Sequence, residues 1–212
     1  MQLRWATALS SKDYVSRKAW REARLPHCPW HPEGGCRFRR HTPYERKSPP
    51  GAKVARFYCS TAGRTVSLLP DCLAARFPGA LVDIEEVVAV REAGTLQGAA
   101  ERFRPSDACD EEAPDLMAAM RWVRRRVTPV HATLGVLIGL MPDRFCGCEP
   151  RISSFRSVLG TDSVLVALRG IAGEHLHHLP PPLGFGPRHT PWKNGTSCFQ
   201  HDMGPDPPDG PR

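Results

Sequence analysis

The chain has 212 residues, a net charge of +7, 41% hydrophobic and 24% charged residues. That length admits one or two small domains with real cores. No uninterrupted apolar run reaches the roughly 18 residues of a spanning helix, and no apolar run of signal-peptide length follows Met1. A membrane partner is therefore not expected, the expected compartment is the cytoplasm, and the eight cysteines read as free thiols and metal ligands.

The charge is segregated along the chain. Residues 1–60 hold 13 Lys/Arg against 4 Asp/Glu, and residues 61–115 hold 5 against 11. Residues 116–126 carry four arginines and no acid, while 127–212 balance at 7 and 7. Two basic patches on an otherwise neutral chain form the electrostatic footprint of nucleic-acid binding. An arginine-rich composition alone would explain the total better than the segregation.

Residues 1–25 interleave Trp5, Tyr14 and Trp20 with Arg4, Lys12, Arg17, Lys18, Arg21 and Arg24. Ser10 or Ser11 can cap a helix running to Arg24. The segment reads either as a phosphate-tracking arm or as an extension that packs its tryptophans on the neighbouring domain.

The next stretch organises the rest. Cys28, His31 and Cys36 are followed by extended basic sequence and then by Cys59. Two knots of Cys and His separated by about one hairpin have the layout of a zinc ribbon, in which the metal staples two loops. A closed tetrahedral site from Cys28, His31, Cys36 and Cys59 is expected, with His27 and His41 in reserve. Two alternatives stand beside it: a ribbon held by packing alone, or a disulfide such as Cys28–Cys59 or Cys36–Cys59. Arg37–Arg40 and Val54–Tyr58 are strand-like, with Ser48-Pro-Pro-Gly51 as the turn. With alternate residues facing out, Arg37, Arg39, Arg40, Arg46, Lys47, Lys53 and Arg56 would make one basic ridge able to meet phosphates.

The run Gly63-Arg64-Thr65-Val66-Ser67-Leu68-Leu69-Pro70 after Cys59, preceded by an arginine-rich hairpin, resembles a zinc-ribbon family of unknown function from bacterial transposase-like proteins. The resemblance covers roughly residues 25 to 125. It implies a ribbon followed by a helix-turn-helix and a mobile-element setting, and it carries over no catalytic residue. Ala62 stands where the family pattern has its last cysteine, and His31 where it has its second.

After Pro70, Leu81, Ile84, Val88 and Arg91 fall on one helical face. Ala93-Gly94-Thr95 reads as a turn, and Leu96–Phe103 as a second short helix, which is how a helix-turn-helix begins. An acidic loop, Pro105 to Pro114, follows. Leu116, Met120, Val123 and Val127 then form a core stripe, with Arg121, Arg124 and Arg125 projecting on the far side and Arg126 beside them. This segment is the candidate recognition helix, since arginine contacts guanine in the major groove; the plain alternative is a solvated face of a bundle helix. Pro129 is expected to kink or restart the helix. Val130–Met141, Ile152–Leu159 and Val164–His175 read as a helical bundle. Cys146-Gly-Cys148 has nonspecific spacing and is assigned no metal. From Leu179 the chain is Pro/Gly-rich and is expected to be an extended tail.

The expected fold is mainly α, with a small β zinc-ribbon-like hairpin near the N-terminus and helix-turn-helix-like and helical-bundle parts after it. Its expected segments are a basic helix or arm (1–25), the ribbon (26–70), a helix-turn-helix-like region (71–128), the bundle (129–178) and the tail (179–212). The expected function is non-catalytic binding of double-stranded DNA in association with a mobile element, with zinc as cofactor and a transposase or integrase as a further partner. The alternative is a zinc-stapled module that docks a transposase or another protein. An enzyme is not expected: the acids lie mostly on one helix and one loop, and no Gly-rich phosphate loop, nucleophile elbow or His-Glu-x-x-His is present.

Overall fold

Four segments with alternating or extended sequence build one sheet. The computed structural model describes residues 1–103 and 115–186. The Pro105–Pro114 loop and the tail beyond 186 lie outside the described residues. Strand β1 is Gln2–Trp5, β2 Phe38–Glu45, β3 Lys53–Cys59 and β4 Arg64–Pro70. They lie in the order β1-β4-β3-β2, with β2–β3 and β3–β4 antiparallel and β1 parallel to β4. The expected hairpin is present, its turn falling in the expected Ser48–Gly51 stretch. Pro43, which has no amide to donate, sits where the β2 register shifts between His41 and Tyr44 on this edge strand.

The fold is therefore α/β, with 44% helix and 17% strand among the described residues, and the expected mainly α chain with a small hairpin is corrected. The physical reason lies in β4 and β1. Val66 and Leu68 alternate with Thr65 and Ser67, and their burial draws β4 onto β3 as a third strand. Four residues at the N-terminus then cover the open edge of β4.

Residues 11–21 pack rather than extend. Helix α1 (Ser11–Ser16) starts at Ser10, whose Oγ accepts from the Asp13 amide at 3.0 Å. Tyr14 is fully buried, donates its hydroxyl to the Lys53 carbonyl at 2.6 Å, and stands between Trp5 and Trp20 with ring centroids 6.0 and 5.8 Å away. The packing reading of this segment accords with these contacts.

Six further helices follow: α2 (Leu81–Ala93), α3 (Leu96–Arg102), α4 (Leu116–Leu140), α5 (Pro142–Phe145), α6 (Ile152–Leu159) and α7 (Val164–Ile171). The inner face of the sheet (Ala55, Phe57, Val66, Leu68) joins one core with Leu81, Ile84 and Val88 of α2, with Val130, Leu134 and Leu137 of α4, and with Phe155 and Leu165. A second, smaller cluster holds α2, α3 and the first half of α4 together through Val87, Ala99, Ala100, Ala119 and Val123. Helix α4 is continuous through Pro129, so the expected restart does not occur. Leu179, Leu183 and Phe185 are buried in the main core, so the expected tail does not begin at Leu179.

Two carboxylates on α2 anchor the C-terminal helices. Glu85 accepts from the Val164 and Leu165 amides at 3.1 and 2.9 Å, at the start of α7, and pairs with Arg156 at 3.1 Å. Glu92, one heptad on, accepts from the Ile152 and Ser153 amides at 2.8 and 3.2 Å, at the start of α6, and from His131 at 2.9 Å. Carboxylates at helix N-termini satisfy orphan amides and complement the dipole. Burial works to raise the Glu92 carboxyl, but His131 and the two amides bring it below its ordinary value near 4.5. A depressed acid stabilises the fold above its unfolded value and loses that contribution as pH falls through the folded one. Unfolding midpoints in urea should therefore converge for the wild type and Glu92→Gln as pH drops from 5 toward 3, with the wild type higher at pH 6. Parallel profiles would show that Glu92 is not ionised in these contacts.

Arg169 is the largest fully buried side chain among the described residues. It donates to the carbonyls of Pro70 (3.2 Å), Leu73 (2.5 Å), Pro182 (2.7 Å) and Leu183 (2.9 Å). Burial lowers its pKa to about 9, still above neutrality. Beside it, Arg4 meets Asp71 through Nε and Nη2, both at 2.8 Å, tying β1 to the end of β4.

Candidate metal centre and basic surfaces

The loop from Cys28 to Cys36 is folded back on itself before β2 begins. His31 donates its amide to the Cys28 carbonyl at 3.1 Å, and Gly34 and Gly35 take φ of 90° and 77°, left-handed values that favour glycine. That turn returns Cys36 to the sheet, two residues before Phe38, which pairs with Cys59 at the end of β3. Gly63, at φ 61°, closes the β3–β4 turn, and the Ala62 amide donates to Cys59 Sγ at 3.3 Å.

Cys28, His31, Cys36 and Cys59 thus lie close together, and one ligand atom from each lies within 4.8 Å of all the others. These are the four residues expected from spacing, and they could hold a metal ion. His31 Nδ1 is 3.5 Å from both Cys28 Sγ and Cys59 Sγ. Metal–sulfur and metal–nitrogen bonds of about 2.3 and 2.0 Å at a tetrahedral angle require about 3.6 Å along that edge. Cys28 and Cys59 are buried, while His31 and Cys36 are partly exposed. All three cysteines are free thiols, so neither alternative disulfide is formed. Burial works to raise the Cys59 thiol, yet the Ala62 amide and the Cys28 and Cys36 thiols bring it below its ordinary value. Cys36 is pushed up to about 11 by burial and by the Cys28 and Cys59 thiols. Three thiols this close ionise together only around a cation. Ala62 touches the cluster through its backbone, donating its amide to Cys59 Sγ, while Cys36 completes the group of four. Among the described residues no second group of this kind exists, and His27, His41, Cys146 and Cys148 belong to none.

The hairpin cations divide between two faces. Arg39 and His41 lie across from Tyr58 and Arg56 on the outer face of the sheet, with the His41 and Tyr58 rings 6.1 Å apart. Arg40 is fixed on the other side. It donates to the Ala23 carbonyl at 2.8 Å and to that of Trp20, and lies over the Phe57 ring. Arg46 donates to the Phe77 carbonyl. A strand alternates faces, so Arg39 and Arg40 cannot share one ridge. Arg37, Arg39 and Lys47 are exposed.

On α4 the expected stripe holds: Val123 is buried, and Leu116, Met120 and Val127 pack against the small cluster. Arg121, Arg124 and Arg125 are exposed and make no hydrogen bond or ion pair with described residues. Arg126 differs. Its guanidinium lies 3.4 Å over the Trp122 ring and 5.9 Å from Phe77, and burial, then Arg125, lowers its pKa to about 10. Phe77 therefore receives Arg46 from the hairpin and Arg126 from α4. No periodic signal marks Phe77, which sits in an irregular loop, so its role was not legible in sequence.

No helix among the described residues is long and apolar enough to cross a membrane. Comparison with protein-family models, with curated proteins and with solved structures finds no match for this chain.

Proposed function

We propose that the chain is a zinc-stapled, non-catalytic DNA-binding protein. Zinc is the metal because three thiolates and one imidazole in a closed tetrahedral set suit it and leave no open position for substrate. The observation that carries DNA binding is the meeting of Arg46 and Arg126 at Phe77. Arg46 of the hairpin and Arg126 of α4, far apart in sequence, both reach Phe77, and in this reading the exposed Lys47, Arg121, Arg124 and Arg125 add charge to the same surface. In this reading the hairpin grips phosphates and the exposed face of α4 enters a groove. The mobile-element setting rests on the Arg64–Pro70 resemblance alone.

Electrophoretic shifts test it. Arg124→Ala or Arg125→Ala should weaken binding to a preferred duplex by about 5- to 100-fold. Arg39→Ala should weaken all duplexes alike and lower the salt slope by about 1. A zinc-loaded protein that shifts no duplex at low salt, and brings a protein partner with it through purification, would instead support the docking-module reading.

A further inference from the structure

We infer that the cavity between the Lys18–Arg21 turn and the β2–β3 hairpin is a binding site for a phosphate-bearing ligand. The cavity measures about 470 Å³ and is lined by Lys18, Arg21, Arg40 and Lys53 together with Trp20, Pro43 and Gly51. Four of these seven are cations, and no carboxylate lines it. Glu45 reaches Lys53 only at 4.0 Å and is well exposed itself. The volume suits a small ligand.

Two features distinguish this place from a solvated run of lysines. Arg40 is held from behind: the carbonyls of Ala23 and Trp20 and the ring of Phe57 fix its guanidinium. Lys18 follows the C-cap of α1 and takes the left-handed backbone, φ 52° and ψ 41°, that commonly ends a helix, with its amide bonded to the Val15 carbonyl; that helix end sets a lysine on the cavity wall. The side chains of Lys18 and Arg21 make no hydrogen bond or ion pair with described residues. Four cations around one hollow repel one another, and a multiply charged anion relieves that repulsion while accepting their hydrogen bonds. Trp20 supplies an apolar wall.

This inference does not depend on the α4 arginines. Phosphate can arrive as a free phosphorylated molecule or as the backbone of a nucleic acid, and the test separates the two. The full chain is titrated calorimetrically with inorganic pyrophosphate and, separately, with a duplex oligonucleotide. Lys18→Gly and Arg21→Gln are combined; glycine accepts the left-handed backbone, so the fold is kept, and an unchanged unfolding midpoint verifies it. Pyrophosphate binding that falls at least tenfold in the double variant identifies a site for a small phosphorylated ligand. Duplex binding that falls tenfold, with no pyrophosphate binding, identifies a seat for a backbone phosphate. Pyrophosphate affinity that the double variant leaves unchanged overturns the inference. So does an absence of pyrophosphate binding with duplex affinity unaltered or nil. Loss of the Arg124→Ala effect on DNA leaves the pyrophosphate arm intact, so the two readings fail separately.

Discussion

Cys59→Ser is expected to yield protein without bound metal and with a lower unfolding midpoint. Cys59 is fully buried, ends β3, and lies 3.5 Å from His31 Nδ1. A serine there keeps the place of the Ala62 amide bond but offers a poor ligand for a soft site. Metal at a thousandfold excess over its dissociation constant contributes about 4 kcal/mol to the folded state, and the variant should lose about that much. The loop from Cys28 to Cys36 is short and turned by two glycines, and of its large side chains Trp30 packs on the main core, so without the metal its Cys36 end loses its tie to Cys59. Elemental analysis of wild type, Cys59→Ser and Cys146→Ser checks this. One zinc per chain is expected in the first and third and none in the second, since Cys146 is exposed and outside the cluster. A wild type without metal, or a Cys59→Ser protein with a full complement, would remove zinc from the account.

The second large effect is expected at Arg169. Arg169→Met keeps much of the volume but leaves the carbonyls of Pro70, Leu73, Pro182 and Leu183 without this donor. Buried polar groups left unpaired cost about 1–3 kcal/mol each where they cannot relax. Allowing for relaxation, a total loss of about 3–5 kcal/mol is expected, or roughly 10 °C in melting temperature for a chain of this size. Arg169→Lys should recover little, because an ammonium cannot span four carbonyls as a planar fork does. Urea unfolding measures both. A change below about 1 kcal/mol would mean that the 179–186 segment is not held by this side chain.

The four residues that could hold a metal were legible in the sequence because Cys and His at these spacings have few other uses, and a hairpin between them fixes how far apart they fold. The β2–β3 turn was legible for a similar reason: Pro-Pro-Gly punctuates chain direction. Strand β4 was not, although Thr65 to Leu68 alternates, since the run reads equally well as a motif. Gln2–Trp5 has four residues and a partner more than sixty positions away, and no local pattern announces a parallel pairing of that kind. The helical faces of α2 and α4 were read correctly from their apolar residues, whereas Glu85 and Arg169 were missed. Each is a charged residue in the core, and what buries it is a set of backbone groups from distant segments. The same blindness applies to the basic residues: charge segregation located the cations, but strand alternation separates Arg39 from Arg40, and Phe77 brings Arg46 and Arg126 together.

The spacing of Glu85 and Glu92 makes α2 a ruler. Their anchor points are about 10.5 Å apart along its axis, and each engages two amides at the start of another helix. Sliding α2 by a single turn would withdraw both carboxylates at once and strand four amides. Helices α6 and α7 can thus seat against α2 in one notch only, and their assembly is keyed to that helix.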